Sequence, residues 1–175
     1  MDAHQNSEMV ETARAFAIAA HGHQKYGERP YVHHLDAVAL LLAPYGEQAQ
    51  VIGYLHDVVE DTTVSEADVR ARFGGHVASC VSLLTDEAGA TRKEKKARTY
   101  AKLALVTGST ELALIVKVAD RLANVRACVA DGNRAMWETY LNEQPSFKSA
   151  AYRAGLCESL WSELDIHLSA KAPSI

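Results

Sequence analysis

Apolar side chains recur every three or four positions along most of this chain, the spacing of helices with one buried face. That period predicts helices at about 6–21, 33–44, 47–60, 65–73, 75–85, 91–106, 110–129 and 134–166, the last broken near Gly155. Asn6 or Ser7 is placed to cap the first helix and Ser65 the fourth, each with an acidic residue close behind. No segment alternates like a half-buried strand, and no internal repeat is present. The expected fold is therefore all-α, a globule of about eight helices forming one domain over 1–175. Residues 22–30 carry two glycines and a proline and join the first two helices as an irregular loop.

One apolar stretch is interrupted by chemistry. The apolar run Val51–Leu55 leads into His56-Asp57-Val58-Val59-Glu60-Asp61 and continues through its Val58 and Val59. At helical pitch His56 lies over Glu60 and Asp57 over Asp61, while Ile52, Leu55 and Val59 line the opposite, buried sector. Burying carboxylates is costly unless something positive neutralises them. A divalent metal is the simplest source of that charge. Two more residues fit the idea. His34 opens the apolar helix running from Ala37 to Ala43, and Asp120 is the lone acid of the apolar segment Ile115–Asn124. His34, His56, Asp57 and Asp120 make a nitrogen and oxygen donor set suited to Mn, Fe, Mg or Zn. The lack of a cysteine ligand argues against a structural zinc.

Composition narrows the class. A net charge of −4 is a poor match to nucleic acid, whose binding needs a basic surface. No apolar run approaches the ~20 residues of a membrane span, and the polar N-terminus lacks a signal-like core. Cys80, Cys128 and Cys157 lie in apolar helical patterns and read as free core thiols of a cytoplasmic protein. Charge is unevenly spread. Residues 92–98 hold five cations and one anion, which leaves −8 on the remainder. A basic segment on an acidic chain suits a polyphosphate that the acidic residues would otherwise repel. Around the proposed ion, Glu60 and Asp61 form an acidic pair in which crowding raises one pKa, so that one acid can hold a proton while the other accepts one.

Six stretches, in order, carry a family resemblance. They are Phe16-Ala17-x-x-Ala20-His21-x-x-Gln24, Pro30-Tyr31-x-x-His34, Leu55 through Thr62, Phe73-Gly74, Leu84-Thr85-Asp86, and Lys117-Val118-Ala119-Asp120-Arg121-Leu122-x-Asn124. On these the chain resembles the HD-domain metal phosphohydrolases, and within them the small alarmone hydrolases similar to the hydrolase half of RelA/SpoT proteins. The motif-bearing core spans about 8–126, with C-terminal helices at about 134–166. The resemblance implies an HD-domain helical globule with its metal site in the helical core and Mn2+ as cofactor. It implies hydrolysis of the 3′-diphosphate of (p)ppGpp-type alarmones, releasing pyrophosphate and GDP or GTP. It also implies Glu60 and Asp61 as the catalytic pair, and Lys96 and Tyr140 as phosphate-region binders. Asn124 would hydrogen-bond the ribose, and His21 would support the site from behind. Where relatives carry an Arg-Lys pair against the base, this chain has Lys25 and Tyr26, which can sandwich a base without favouring guanine. Adenosine alarmones thus stay open as substrates. Two alternatives are a broader HD nucleotide phosphatase, including NADPH 2′-phosphate removal, and an inactive nucleotide-binding module. His4, His23, His33, His76 and His167 are not expected to be ligands. The partner is a small nucleotide polyphosphate, with no nucleic acid and no membrane, and the oligomeric state is left open.

Overall fold

The computed structural model describes residues 3–170 and 172–173, with side chains from residue 8 onward. Helix α1 runs Ala3–His21, and a two-strand antiparallel hairpin follows, β1 Lys25–Tyr26 against β2 Arg29–Pro30. Then come α2 Val32–Leu42, a 3-10 turn Ala43–Tyr45, α3 Glu47–Leu55, α4 Val58–Asp61, α5 Glu66–Phe73 and α6 Gly75–Leu84. The chain ends with α7 Arg92–Ala104, a 3-10 turn Gly108–Glu111, α8 Leu112–Ala130, α9 Arg134–Ala151 and α10 Glu158–Ser169.

The all-α expectation holds, with local differences. Because α1 already starts at Ala3, Asn6 and Ser7 lie inside the helix rather than at its cap; their side chains and that of His4 fall outside the described residues. Ser65 does cap α5, in a reciprocal box with Asp68. Between α9 and α10 the chain turns at Gly155, whose φ of +80° is readily available only to glycine. Residues 22–30 fold into the hairpin, which is too short to leave a period in the sequence. Gly27 turns it, with φ at +58°.

The most consequential difference is a break in the expected helix 47–60. His56 Nδ1 donates to the Gly53 carbonyl at 2.6 Å, the acceptor that the Asp57 amide would use in an unbroken helix. α3 therefore ends at Leu55, and the one-turn α4 resumes at Val58. The Asp61 amide still bonds the Asp57 carbonyl at 2.9 Å, so Asp57 and Asp61 keep their stacked relation across the break.

Helix α8 is the central element. It is buried on nearly all sides, from Ala113 through Val116 to Leu122, and packs against α2, α3, α6, α9 and α10. A helix apolar all round belongs in a core. A second packing layer brings together the tilted rings of Tyr100, Phe147 and Trp161, with successive ring centroids 5.7 and 5.3 Å apart. The three cysteines are buried and free. No helix among the described residues is long and apolar enough to cross a membrane.

α2 and α3 approach closely at Gly53. A Cβ there would stand 2.5 Å from Leu42 Cδ1 and 3.5 Å from Val38 Cγ1, both side chains buried in the core. The two helices that approach here carry His34, in the first turn of α2, and His56, just after α3. Replacing Gly53 with Ala is expected to destabilise the fold by about 1–3 kcal/mol through overpacking. Urea unfolding checks this, and an unchanged midpoint would show that the two helices can part without cost.

Candidate metal centre

Three helical segments bring four side chains to one point. His34 comes from the start of α2, His56 and Asp57 from the α3–α4 break, and Asp120 from the middle of α8. The two imidazoles are 4% and 1% exposed. His56 Nε2 is 2.9 Å from Asp57 Oδ2 and 3.6 Å from Asp120 Oδ1. His34 Nε2 is 3.2 Å from Asp120 Oδ1 and 3.9 Å from Asp57 Oδ2. One ligand atom from each of His34, His56 and Asp57 lies within 4.8 Å of the others.

The group fits a cation. Since His56 Nδ1 donates to Gly53, Nε2 is the ring nitrogen left to face the two carboxylates. That Nε2 is buried and lacks a hydrogen bond of acceptable angle despite its short contacts. Burial disfavours the His56 imidazolium, but the carboxylates of Asp57 and Asp120 outweigh it and push its pKa well above the ordinary value. For Asp57 and Asp120, burial favours the neutral acid, yet the neighbouring histidines hold both below the usual carboxylate range. The centre attracts positive charge, whether proton or metal. Histidines and aspartates gathered in this way point to a divalent metal ion.

A second layer orients these groups. Tyr31 donates to Asp57 Oδ2 at 2.5 Å, and its ring stacks on His21 at 4.4 Å. Asn124 Nδ2 donates to Asp120 Oδ1 at 2.6 Å. Lys117, only 7% exposed, donates to the Leu84 carbonyl and sits 3.9 Å from Asp120 Oδ2. Tyr26 covers His34, with ring planes 12° apart and centroids at 4.7 Å.

Glu60 and Asp61 occupy the exposed rim on α4. Glu60 Oε2 accepts from the Asp86 amide at 2.8 Å. Surrounding protein raises the Glu60 pKa, and the charges of Asp86 and Asp57 add to that rise against the Asp86 hydrogen bond. Asp61 Oδ2 accepts from Gln24 Nε2 at 3.0 Å.

The expected substrate residues divide. Tyr26, Asn124 and Tyr140 share a cavity of about 220 Å³. Within it Tyr26 donates to Asn124 Oδ1 at 2.6 Å, so each satisfies the other. Tyr26 also walls a neighbouring cavity of about 230 Å³ between α2 and α8. Tyr140 lies beneath Arg121, whose guanidinium is 4.6 Å from the ring centroid. Lys25 is exposed on the hairpin and is not among the residues that line that cavity. Lys96 is ion-paired with Asp86 at 2.7 Å and lines a separate groove between α7 and α9. Burial and the nearby Lys117 lower the Lys96 pKa, against the pull of Asp86.

Several residues at the site had no role assigned from sequence. Gln24, Tyr31 and Lys117 sit inside the quoted motifs, and Lys117 lies one turn before Asp120, a spacing that flags a pair. Asp86 also sits in a quoted motif, but its contact with Glu60 spans 26 positions and has no local signal. Arg121 is buried, holding Glu143 at 2.8 Å and the Tyr100 hydroxyl at 2.6 Å.

Comparison with known proteins agrees with this geometry. The HD-domain family profile matches residues 13–156, and the chain belongs to that family. It is 37% identical over 126 residues to the guanosine-3′,5′-bis(diphosphate) 3′-pyrophosphohydrolase of Aquifex aeolicus (strain VF5), covering 70% of this chain and 18% of that protein. A Synechocystis protein named as a probable enzyme of the same activity is 32% identical over 165 residues, 90% of this chain and 22% of its own. The chain thus spans about a fifth of the length of these curated relatives. Among solved structures, a metazoan ortholog of SpoT, described as hydrolysing ppGpp, superposes with a TM-score of 0.73 at 24% identity, covering 91% of this chain and 93% of that one. The lmo0812 protein of Listeria monocytogenes EGD-e gives 0.63 at 25% identity, over 80% and 98%.

Removing the Tyr31 hydroxyl (Y31F) is expected to weaken metal binding by about 10–100-fold, the usual cost of losing an outer partner. Equilibrium dialysis with metal analysis tests it, and unchanged affinity would mean that Asp57 needs no such support. The raised His56 pKa also has a sign. Without metal its Nε2 keeps a proton at neutral pH, which an incoming ion must displace. Affinity is therefore expected to fall about tenfold for each pH unit lowered, with about one proton released. Calorimetry in buffers of different ionisation heat reads that proton, and buffer-independent heats would contradict it.

Proposed function

We propose that this chain is a single cytoplasmic hydrolase domain over 1–175 that removes the 3′-diphosphate of (p)ppGpp-type alarmones, giving pyrophosphate and GDP or GTP. The carrying observation is the buried nitrogen and oxygen centre with Glu60 and Asp61 one turn away, each held by a separate donor. Family membership and the relatives' named activity support the same reaction. The free thiols suit a reducing compartment.

His34, His56, Asp57 and Asp120 would hold the ion, which we assign as Mn2+. When bound, such an ion lowers the pKa of water and draws charge from a phosphoryl oxygen. Glu60, with its raised pKa, is suited to carry the proton delivered to the departing 3′ oxygen of the sugar. Asp61 stands beside it to accept the proton of the attacking water. Lys117 and Lys96 offset the charge of Asp120 and Asp86, so that an anionic diphosphate can approach an acidic rim. Substrate entering the cavity of Tyr26, Asn124 and Tyr140 would exchange the tyrosine for a ribose hydroxyl as partner of Asn124. Lys25, at the hairpin edge, would reach the base or its 5′-phosphates.

Incubation of the purified protein with Mn2+ and guanosine and adenosine alarmones, an NADP-type dinucleotide and simple nucleotides tests this through the products. Pyrophosphate with GDP or ADP is expected. Orthophosphate from the other nucleotides alone would favour the broader phosphatase, and bound metal without turnover would favour the binding module. Replacing Glu60 with Gln and Asp61 with Asn together is expected to leave metal content intact and cut turnover at least about 100-fold. Undiminished turnover would remove both residues from the mechanism.

A further inference from the structure

Asp61 is poorly restrained by its own helix. It is the last residue of the one-turn α4, it is exposed, and Thr62 after it is already extended, with φ −129° and ψ −173°. A single turn has little rigidity of its own. Among the described residues, the bond from Gln24 is the one side-chain hydrogen bond made to the Asp61 carboxylate.

The polarity of that contact is fixed by chemistry. An ionised carboxylate only accepts, so the Gln24 amide nitrogen must face Asp61 and its oxygen must face the other way. That oxygen meets His21 Nδ1 at 2.9 Å, which must then carry the proton. His21 is buried and stacked on Tyr31, whose hydroxyl holds Asp57. Gln24 is itself pinned by its backbone, its amide bonding the His21 carbonyl and its carbonyl accepting from the Tyr31 amide, both at 3.0 Å. Hence the segment from His21 to Tyr31 holds Asp57 at one end and Asp61 at the other.

We infer that Gln24 is a positioning residue for Asp61, and that His21 and Tyr31 tie its setting to the ion-binding carboxylate Asp57. The separation of the two acids is then set by this loop as well as by the broken helix between them. The functional side of this inference rests on the proposed role of Asp61, but the placement of its side chain does not. Gln24 lies outside the cavity lining and outside the metal centre, so its loss acts on turnover rather than on binding.

Two variants test it, Gln24→Ala and the isosteric Gln24→Glu, which turns an acceptor toward Asp61. Each is expected to lower kcat by about 10–100-fold, as misplacing a catalytic group does, with KM and bound Mn2+ unchanged. In an Asp61→Asn background, Gln24→Ala is expected to cost nothing further, because the two act as one unit. A crystal structure of Gln24→Ala should show Asp61 displaced and the four centre residues in place. Full kcat in both variants, additive losses in the double variant, or an unmoved Asp61 would overturn the inference. If Asp61→Asn alone keeps full turnover while Asp61 moves in the Gln24→Ala crystal, the catalytic role fails and the positioning role stands.

Discussion

Two aspartates and two histidines share a volume from which water is largely shut out, and the surrounding helices are arranged to keep them there. Asp57 and Asp120 are only 20% and 15% exposed, and the imidazoles beside them are almost wholly covered. An isolated ion in such surroundings carries a penalty of several kcal/mol even after relaxation. These acceptors can therefore stay together only around positive charge. The close approach at Gly53, the burial of α8 and the break after Leu55 all bear on how that charge is met.

The break shows how a fold can serve a site. In a continuous helix the Gly53 carbonyl would belong to the Asp57 amide. Giving it to His56 Nδ1 costs one helical bond and fixes which ring nitrogen faces the carboxylates. The same compactness appears in the hairpin between α1 and α2. Gln24, just before it, donates to Asp61; Tyr26 within it covers His34 and donates to Asn124; and Tyr31, just after it, donates to Asp57. One short loop touches the histidine and aspartate centre, the acidic pair and the cavity of Tyr26, Asn124 and Tyr140.

What could be read from the chain alone divides along physical lines. Helical spans follow from apolar periodicity, and His34, His56, Asp57 and Asp120 stand out because ionisable residues in apolar helices need a reason. Ser65 was legible as a cap because capping is local. The break at His56 was not, since both flanking segments remain helical in pattern and the cause is a side-chain bond. Pairings made through space left no trace either. Tyr26 meets Asn124 across 98 positions and Gln24 meets Asp61 across 37. Lys96 drew attention by its basic neighbourhood, but only the fold reveals that Asp86 engages it.

Anomalous diffraction at the manganese edge, from crystals grown with Mn2+, bears most directly on the claim that this centre holds a metal. One strong peak is expected, ligated by His34 and His56 through Nε2 and by the carboxylates of Asp57 and Asp120, and lost in an Asp57→Ala variant that still folds. A centre without a peak at saturating Mn2+, or a peak held by other residues, would contradict it.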